Sequence, residues 1–327
     1  MSDNYEDNMS IAGRLDELRE NPEDLIIILG PTASGKTAVS LELDRYFDIE
    51  VISADSRQIY KYLDIGTAKP SQEELSKVKH HFIDVLEPDE TYSAGMFGEE
   101  AEDLVYDILN MHKMPIVVGG SGLYIEALCE GMFDEDEPEN KIQVRQALEE
   151  ELESEGIDKL YSKLEKIDPK SAEKYSDRNP RRILRALEYY KHTGEPLSEA
   201  HERKHVTRNF RNFYYGIDYP REELYERINK RAEEMWNSGL IDETKKILEM
   251  GYSPQLNSLN TVGYKEAIAY INGEMTEEEA LEKMKQSTRR YAKRQITWFK
   301  RYDDVLWLNG SPKEMAQKIY ENYEERK

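Results

Sequence analysis

Short, largely apolar segments alternate with amphipathic segments over the first third of the chain. Residues 25–29, 50–53 and 115–118 have the pattern of strands that are buried on both faces. Helical patterns lie between them, around 38–46 and 97–111. Because strands that alternate with helices form parallel sheets with right-handed crossovers, we expect an α/β fold.

The pattern changes after residue 131. An acidic segment at 134–139 precedes a charged, helix-rich stretch from 141 to about 192, in which Asp168 begins a new helix. Residues 213–217 predict a returning strand, and 305–308 predict a last short one within a helical C-terminal region. The predicted parts are an acidic N-terminal extension at 1–23, an α/β core with C-terminal helices at 24–133 and 207–327, and an all-helical insertion at 134–206.

The charge of the chain is strongly uneven. Its 327 residues carry a net charge of −22 at pH 7, which argues against a general affinity for nucleic acid. Residues 283–302, however, contain eight Lys or Arg and no acid. Smaller basic clusters lie at 178–185 and 203–211. Because these basic patches occur in so acidic a chain, RNA remains a candidate partner.

Cysteine content and hydropathy indicate the compartment. The single cysteine, Cys129, excludes an intrachain disulfide and lies in an apolar stretch, which predicts a small buried residue. No run of about 18 apolar residues predicts a membrane span. The N-terminus has no apolar signal segment. We therefore expect a cytoplasmic protein with no membrane partner.

One segment carries the clearest chemical signal. Residues 30–37 read GPTASGKT and match the phosphate-binding pattern G-x-x-x-x-G-K-[ST], between a predicted buried strand and a predicted helix. In such a loop backbone amides surround a phosphate, Lys36 supplies positive charge and the Thr37 hydroxyl suits Mg²⁺. The expected fold is therefore an α/β, P-loop NTPase-like parallel sheet flanked by helices. A nucleotide such as ATP is a possible ligand of this pattern, which does not identify the reaction.

Asp55 follows the second predicted strand, at the edge of the sheet where the phosphate loop also lies. It could act as a general base, bind Mg²⁺ through water, or cap the next helix. The strand at 115–118 ends in Gly119-Gly120 rather than in the acid that holds Mg²⁺ in phosphate-loop ATPases. This disfavours a nucleotide-hydrolysing motor and favours a transferase whose carboxylate serves the acceptor. The loops after the three strands should converge.

His80-His81 invites a metal interpretation. No second group of His or Cys with ligand spacing accompanies the pair. Packing or hydrogen bonding is therefore the favoured role.

Segments distributed along the chain resemble, in order, the signature of the tRNA dimethylallyltransferases. They are GPTASGKT (30–37), DSRQIY (55–60), DIGTAKP (64–70), GGSGLY (119–124), NPRRILRALE (179–188), ELYERINKR (223–231), VGYKE (262–266) and KRQITWF (293–299). The resemblance covers about 25–308 and implies transfer of a dimethylallyl group from its diphosphate to the exocyclic amine of the adenosine 3′-adjacent to the anticodon. Diphosphate would leave with the assistance of Mg²⁺. Because the chain lacks cysteines for the C-terminal zinc finger of many eukaryotic members, the bacterial type is indicated.

The resemblance also implies roles for single residues. Asp55 would be the general base, Thr32, Lys36 and Arg231 would act on the diphosphate, and Thr37 would hold Mg²⁺. The implied diphosphate- or nucleotide-binding residues are Gly30, Pro31, Thr32, Ala33, Ser34, Gly35, Lys36 and Thr37. The implied tRNA-binding residues are Asp55, Ser56, Arg57, Gln58, Ser121, Arg145, Arg181, Arg182, Ile183, Leu184, Arg185, Lys293, Arg294 and Gln295.

Some of these matches are looser than others. Ser121 stands where the family commonly has threonine and keeps the hydroxyl. Arg227 shares a helix face with Arg231, but acidic neighbours make a surface ion pair the competing interpretation. For Trp298 a place in the core is favoured over stacking on RNA.

Three other functions compete with a tRNA prenyltransferase. A sister enzyme that uses a free adenine nucleotide as acceptor would need neither the insertion nor the basic C-terminal segments. A small-molecule kinase would leave residues 64–70 unexplained, and a non-catalytic RNA-binding protein would leave Lys36, Thr37 and Asp55 unexplained. The expected partners are a tRNA anticodon stem-loop and dimethylallyl diphosphate, and the expected state is a monomer.

Overall fold

The computed structural model describes residues 22–132, 141–203 and 208–327 of the chain. The predicted acidic segment at 134–139 and nearly all of the N-terminal extension lie outside the described residues. Packing divides the chain into two compact units, 1–129 together with 208–327, and 130–207. No helix among the described residues is long and apolar enough to cross a membrane.

A six-stranded, wholly parallel sheet forms the centre of the first unit. Its strands are β1 (Glu23–Leu29), β2 (Ile49–Ala54), β3 (His80–His81), β4 (Met114–Gly119), β5 (Phe210–Ile217) and β6 (Leu306–Leu308). They lie in the order β3-β2-β4-β1-β5-β6. The five apolar residues of β1 that begin at Leu25 are fully buried, because strands flank both of its edges and helices cover both faces of the sheet. The predicted α/β parallel sheet is confirmed.

Helices cover both faces of this sheet. The helices of this part of the chain are α1 (Lys36–Leu43), α2 (Gln72–Lys77), α3 (Ala94–Asn110) and α4 (Gly122–Cys129), of which α2 has no buried residue. Helix α1 begins and ends slightly before the predicted 38–46. It begins at Lys36 because Gly35 has a φ of 84°, a left-handed conformation that glycine adopts without steric cost. Cys129 is buried, as predicted.

The second unit is helical throughout its described residues. Its helices are α5 (Lys141–Glu155), α6 (Ile157–Ile167), α7 (Pro169–Lys174), α8 (Pro180–Thr193) and α9 (Leu197–Arg203). Leu160, Leu164 and Leu187 belong to a core of its own. Asp168 caps α7, as the sequence predicts, because its Oδ1 accepts a hydrogen bond from Ser171 N at 3.0 Å.

The C-terminal part of the first unit is again helical. It comprises α10 (Arg221–Met235), a π-helical turn (Trp236–Leu240), α11 (Ile241–Glu249), α12 (Tyr264–Ile271), α13 (Glu277–Phe299) and α14 (Pro312–Arg326). Helix α13 starts at a capping box formed by Thr276 and Glu279. Helices α10 and α13 pack against each other and carry side chains to the edge of the sheet where the strands end.

His80 and His81 form the short edge strand β3, which the sequence pattern does not predict. His80 Nδ1 lies 2.8 Å from Val78 O, and His81 Nε2 lies 2.7 Å from the buried Glu50 Oε2. Both histidines therefore make hydrogen bonds, which is the role that the sequence favours.

Candidate active site

The phosphate loop connects β1 to α1. Lys36 Nζ folds back over the loop and donates hydrogen bonds to Gly30 O at 3.0 Å and Pro31 O at 2.9 Å. Ala33, at the turn of the loop, has a φ of 64°. The ammonium group is therefore held above the amides of the loop, where a phosphate would meet it.

Two cations and one carboxylate, from three different elements, interact at this position. Burial lowers the pKa of Lys36 to about 8; the charge of Asp55 opposes this shift and that of Arg231 adds to it. Burial also lowers the pKa of Arg231, again against the charge of Asp55. The structure therefore places three predicted catalytic residues, from α1, the end of β2 and α10, within one electrostatic site.

Asp55 is both anchored and available. Its Oδ1 accepts hydrogen bonds from Arg57 N at 2.9 Å and Gln58 N at 3.4 Å, which is the local capping role considered in the sequence. Oδ2 accepts no hydrogen bond from the residues that the structure describes. One oxygen thus fixes the carboxylate, and the other can receive a proton.

Ser121 joins the loop after β4 to the loop after β2. Its Oγ accepts a hydrogen bond from Ser56 N at 3.0 Å and lies 3.3 Å from Ser56 Oγ. On the other side of the loop, Gln295 bridges Thr32 and Gly120. The predicted convergence of the three strand-end loops is confirmed.

Gln58 has a structural use in addition to its predicted contact with tRNA. Its Nε2 donates to Thr67 O and Ala68 O, both at 3.2 Å. Arg57 reaches Asn257, with 3.5 Å between Nη2 and Oδ1. The segment after Asp55 is therefore held in place along its length.

An aromatic cavity of about 450 Å³ opens beside Ser56 and Ser121. Its aromatic lining consists of Tyr60, Tyr92, Tyr124, Tyr291 and Trp298, and its polar lining includes Arg57, Asn257, Arg294 and Gln295. Aromatic rings with a few polar groups are suited to a planar base held by stacking. The cavity thus offers space for a planar ring beside Ser56 and Arg57, which follow Asp55 directly.

Trp298 lines this cavity and packs against Gly122, and it is not among the buried core residues that the structure describes, where the sequence favours it. It is half-buried, and the Arg301 guanidinium lies 3.8 Å from its ring centroid. Lys293 and Arg294 are exposed, as RNA contacts require. Lys285, by contrast, is buried and paired with Glu233 and Glu282, so it is not available to RNA.

The predicted arginines of the second unit differ in their availability. Arg181 and Arg182 are exposed at the start of α8. Arg145 is half-buried and pairs with Glu149 and Glu188. Arg185 is also half-buried and pairs with Glu188 through its Nη1.

Two of the predicted tRNA-binding residues have core side chains. Ile183 and Leu184 are 0% and 3% exposed within the second unit. They alternate with arginines because one face of an amphipathic helix packs inward. The match to the family motif covers the whole segment, but within residues 181–185 only the arginines present side chains to solvent.

Arg227 forms a surface ion pair, which is the interpretation that competes with a role in the reaction. It bonds Glu223 with 3.0 Å between Nη2 and Oε1, and it covers the Tyr219 ring at 4.1 Å. Arg231, one turn later on α10, instead faces Asp55 and Lys36.

Sequence reasoning missed Glu243 on α11. Its carboxylate accepts hydrogen bonds from Asp64 N, Ile65 N and Gly66 N at 3.2, 2.9 and 3.2 Å, and from Tyr264 Oη at 2.6 Å. It thereby joins two segments of the family resemblance, 64–70 and 262–266. No signal could have singled it out, because an acid on a charged helix is usually a surface residue.

Mg²⁺ fits the residues that are present. The Thr37 hydroxyl makes no hydrogen bond with the described residues, and Asp55 Oδ2 is similarly free of one. Both are hard oxygen ligands of the kind Mg²⁺ prefers, and Mg²⁺ commonly takes one or two protein ligands together with substrate phosphates. No group of three or more His, Cys, Asp or Glu that could hold a metal by itself occurs among the residues described.

Comparisons with known proteins agree with this geometry. The model of the family "IPP transferase" matches residues 58–302. A tRNA dimethylallyltransferase of Acetivibrio thermocellus is 43% identical over 92% of this chain and 96% of its own length. One of Carboxydothermus hydrogenoformans is 44% identical over 91% and 96%.

Solved structures agree as well. A tRNA delta(2)-isopentenylpyrophosphate transferase of Staphylococcus epidermidis has a TM-score of 0.68 at 40% identity, over 93% of this chain and all of the other. A eukaryotic dimethylallyltransferase described as acting on tRNA has a TM-score of 0.74 at 30% identity, over 88% of this chain and 73% of its own. The phosphate loop, the carboxylate beside it and the similarity along most of the chain together establish that this protein belongs to the IPP transferase family.

Proposed function

We propose that the protein transfers a dimethylallyl group from dimethylallyl diphosphate to the exocyclic amine of the adenosine 3′-adjacent to the anticodon in tRNA, and releases diphosphate. The observation that carries the proposal is the position of Asp55, between a phosphate loop and an aromatic cavity. The names of the relatives supply the substrate class. A donor site and an acceptor site on either side of one carboxylate are what such a transfer needs.

On the donor side, the loop amides and Lys36 would bind the diphosphate. As the carbon–oxygen bond breaks, negative charge grows on the leaving diphosphate, and Lys36 and Arg231 are placed to stabilise it. Thr37 would hold Mg²⁺, which would withdraw further charge from the leaving group and leave Asp55 free to act as the base.

On the acceptor side, the adenine must leave the base stack of the anticodon loop before it can react. The aromatic cavity would receive it, with its amine towards Asp55. That amine is a weak nucleophile because its lone pair is delocalised into the ring. As the nitrogen–carbon bond forms, Asp55 Oδ2 would accept the proton that the nitrogen loses.

Exposed basic side chains in each of the two units support an RNA acceptor. Lys293, Arg294, Arg181 and Arg182 are exposed and can meet phosphates. The proposal includes a monomer, since both the donor and acceptor sites come from one chain, and a cytoplasmic location, where tRNA is met.

The test is prenyl transfer from labelled dimethylallyl diphosphate with Mg²⁺, offered an anticodon stem-loop and free AMP in parallel. Label is expected on the stem-loop only. Asp55→Asn keeps an oxygen for the bonds from Arg57 N and Gln58 N but cannot take the proton, so kcat should fall by about 10²- to 10⁴-fold. Asp107→Asn, at an exposed position on α3, is the matched control.

The outcomes separate the competing functions. Label on AMP would favour a nucleotide-acceptor enzyme, and label on neither substrate would refute prenyl transfer. Full activity of Asp55→Asn would remove the general base from the mechanism.

A further inference from the structure

The side chain of Gln295 is almost completely buried and uses both ends of its amide. It is 6% exposed on α13. Its Oε1 accepts a hydrogen bond from Thr32 N at 2.9 Å, and its Nε2 donates to Gly120 O at 2.9 Å. Thr32 belongs to the phosphate loop, and Gly120 to the loop after β4. One amide therefore joins the donor loop to the neighbouring strand end.

The chain makes room for this amide. A Cβ added to Gly120 would lie 2.2 Å from Gln295 Nε2, so no larger residue fits there without displacing Gln295. The close approach explains the glycine at this position.

We propose that Gln295 is a positioning residue for the donor site: its buried amide holds the backbone N–H of Thr32 and so fixes the phosphate loop for the diphosphate. This rests on the proposed function for the identity of the ligand. The Lys36 ammonium bonds to Gly30 O and Pro31 O in the same turn. A loop released at Thr32 would therefore carry Lys36 out of place as well.

The alternative is that Gln295 contacts RNA, as the resemblance to the family implies for residues 293–295. Lys293 and Arg294 are exposed and suited to that role. Gln295 is buried, and both of its polar ends are used by backbone groups. Although Gln295 also lines the aromatic cavity, both ends of its amide are already engaged, so its substitution should act on the donor more than on the RNA.

The experiment compares Gln295→Leu and Gln295→Glu with wild type, with Gln286→Glu as matched control at an exposed position of α13. Calorimetry measures the binding of inorganic diphosphate with Mg²⁺, and steady-state kinetics gives KM for the prenyl donor and for a stem-loop. Loss of the acceptor for a buried N–H predicts diphosphate binding about tenfold weaker in Gln295→Leu, and a donor KM raised similarly. The KM for RNA should stay within about twofold.

The glutamate variant provides a pH-dependent readout. A carboxylate at 295 has no proton to donate to Gly120 O, whereas a protonated carboxyl regains both roles of the amide. Burial raises the pKa of such a carboxyl, so protonation should occur near neutral pH. Diphosphate affinity of Gln295→Glu, divided by that of wild type, should therefore rise as pH falls from 8 to 6, while the ratio for Gln286→Glu stays flat.

Unchanged diphosphate binding in Gln295→Leu, with a raised KM for RNA, would overturn the proposal, and so would a flat pH ratio for Gln295→Glu. If Gln295→Leu does not fold, the pH ratio decides, because it follows how the affinity of Gln295→Glu relative to wild type changes with pH. Normal diphosphate binding by wild type without prenyl transfer would refute the proposed function and leave the test of Gln295 intact.

Discussion

Several side chains at the site combine an anchoring role with a chemical one. Asp55 uses one oxygen to close its own turn, and in the proposed reaction the other oxygen accepts the proton. Ser121 joins two loops at the wall of the aromatic cavity, which is the proposed acceptor site. Such double use fixes the reactive atoms before substrate arrives, which lowers the reorganisation required during the reaction.

The lowered pKa of Lys36 predicts a pH dependence of donor binding. With a pKa of about 8, the ammonium group loses its charge as pH rises from 7 to 9. Diphosphate favours the charged form, so binding should raise this pKa and take up protons in that range. Affinity for diphosphate with Mg²⁺ should fall by up to about tenfold over it.

Calorimetry in two buffers of different ionisation enthalpy measures the proton uptake. Lys36→Arg stays charged throughout and controls for the ionisation of diphosphate itself. Equal pH slopes for the variant and wild type would contradict the prediction.

For single residues, the sequence predicts which side chains belong to the site better than it predicts their hydrogen-bond partners. Lys36, Asp55 and Arg231 lie together as expected, because motif spacing and strand ends place them at one edge. The bonds of Gln58 to Thr67 and Ala68 could not be predicted, since tertiary packing alone determines which backbone groups a side chain meets.

At the level of helices and strands, apolar runs in the sequence predict the central strands directly. They do not predict the contacts between elements. Strands β1, β2, β4 and β5 were all predicted, but β3 was not, because two histidines carry no strand pattern. The order of strands in the sheet is also invisible to periodicity. Helix α11 likewise gives no hint in the sequence that it anchors residues 64–66 through Glu243.

Removing the Glu243 carboxylate should weaken the contact between α11 and residues 64–66. Glu243→Ala leaves three backbone N–H groups and the Tyr264 hydroxyl without their acceptor, so the free energy of unfolding should fall by about 2–4 kcal/mol. Denaturant unfolding measures the loss, and hydrogen exchange should accelerate at 64–66. Glu249→Ala, at the exposed end of the same helix, should change stability by less than about 0.5 kcal/mol. Equal effects of the two substitutions would show that the anchor is not used.

For the molecule as a whole, the net charge is negative, whereas parts of the surface are basic. The chain carries −22, yet exposed basic residues remain on α13 and α8. Some candidate RNA contacts already have acidic partners, as Arg145 has in Glu149 and Glu188. These acids compete with phosphate for the same cations.

The salt dependence of RNA binding should therefore be weaker than the number of matched basic residues suggests. Lys293→Ala should lower the slope of log K against log salt by about 0.7–0.9, since an exposed lysine releases close to one counterion. Arg145→Ala should lower it less, because that guanidinium is already paired. Filter binding of a stem-loop over a salt series measures both, and a slope equal to the full basic count in wild type would refute the expectation.

The sheet is assembled from distant parts of the chain. Strand β1 lies between β4 and β5, with Leu29 opposite both Gly119 and Gly216. During synthesis, β1 can pair with β4 long before β5 emerges, and until then its apolar residues have one open edge. A chain cut short between residues 130 and 209 would keep that edge permanently. Because unpaired apolar edges add strands from other molecules, such fragments should aggregate rather than persist as a smaller folded protein.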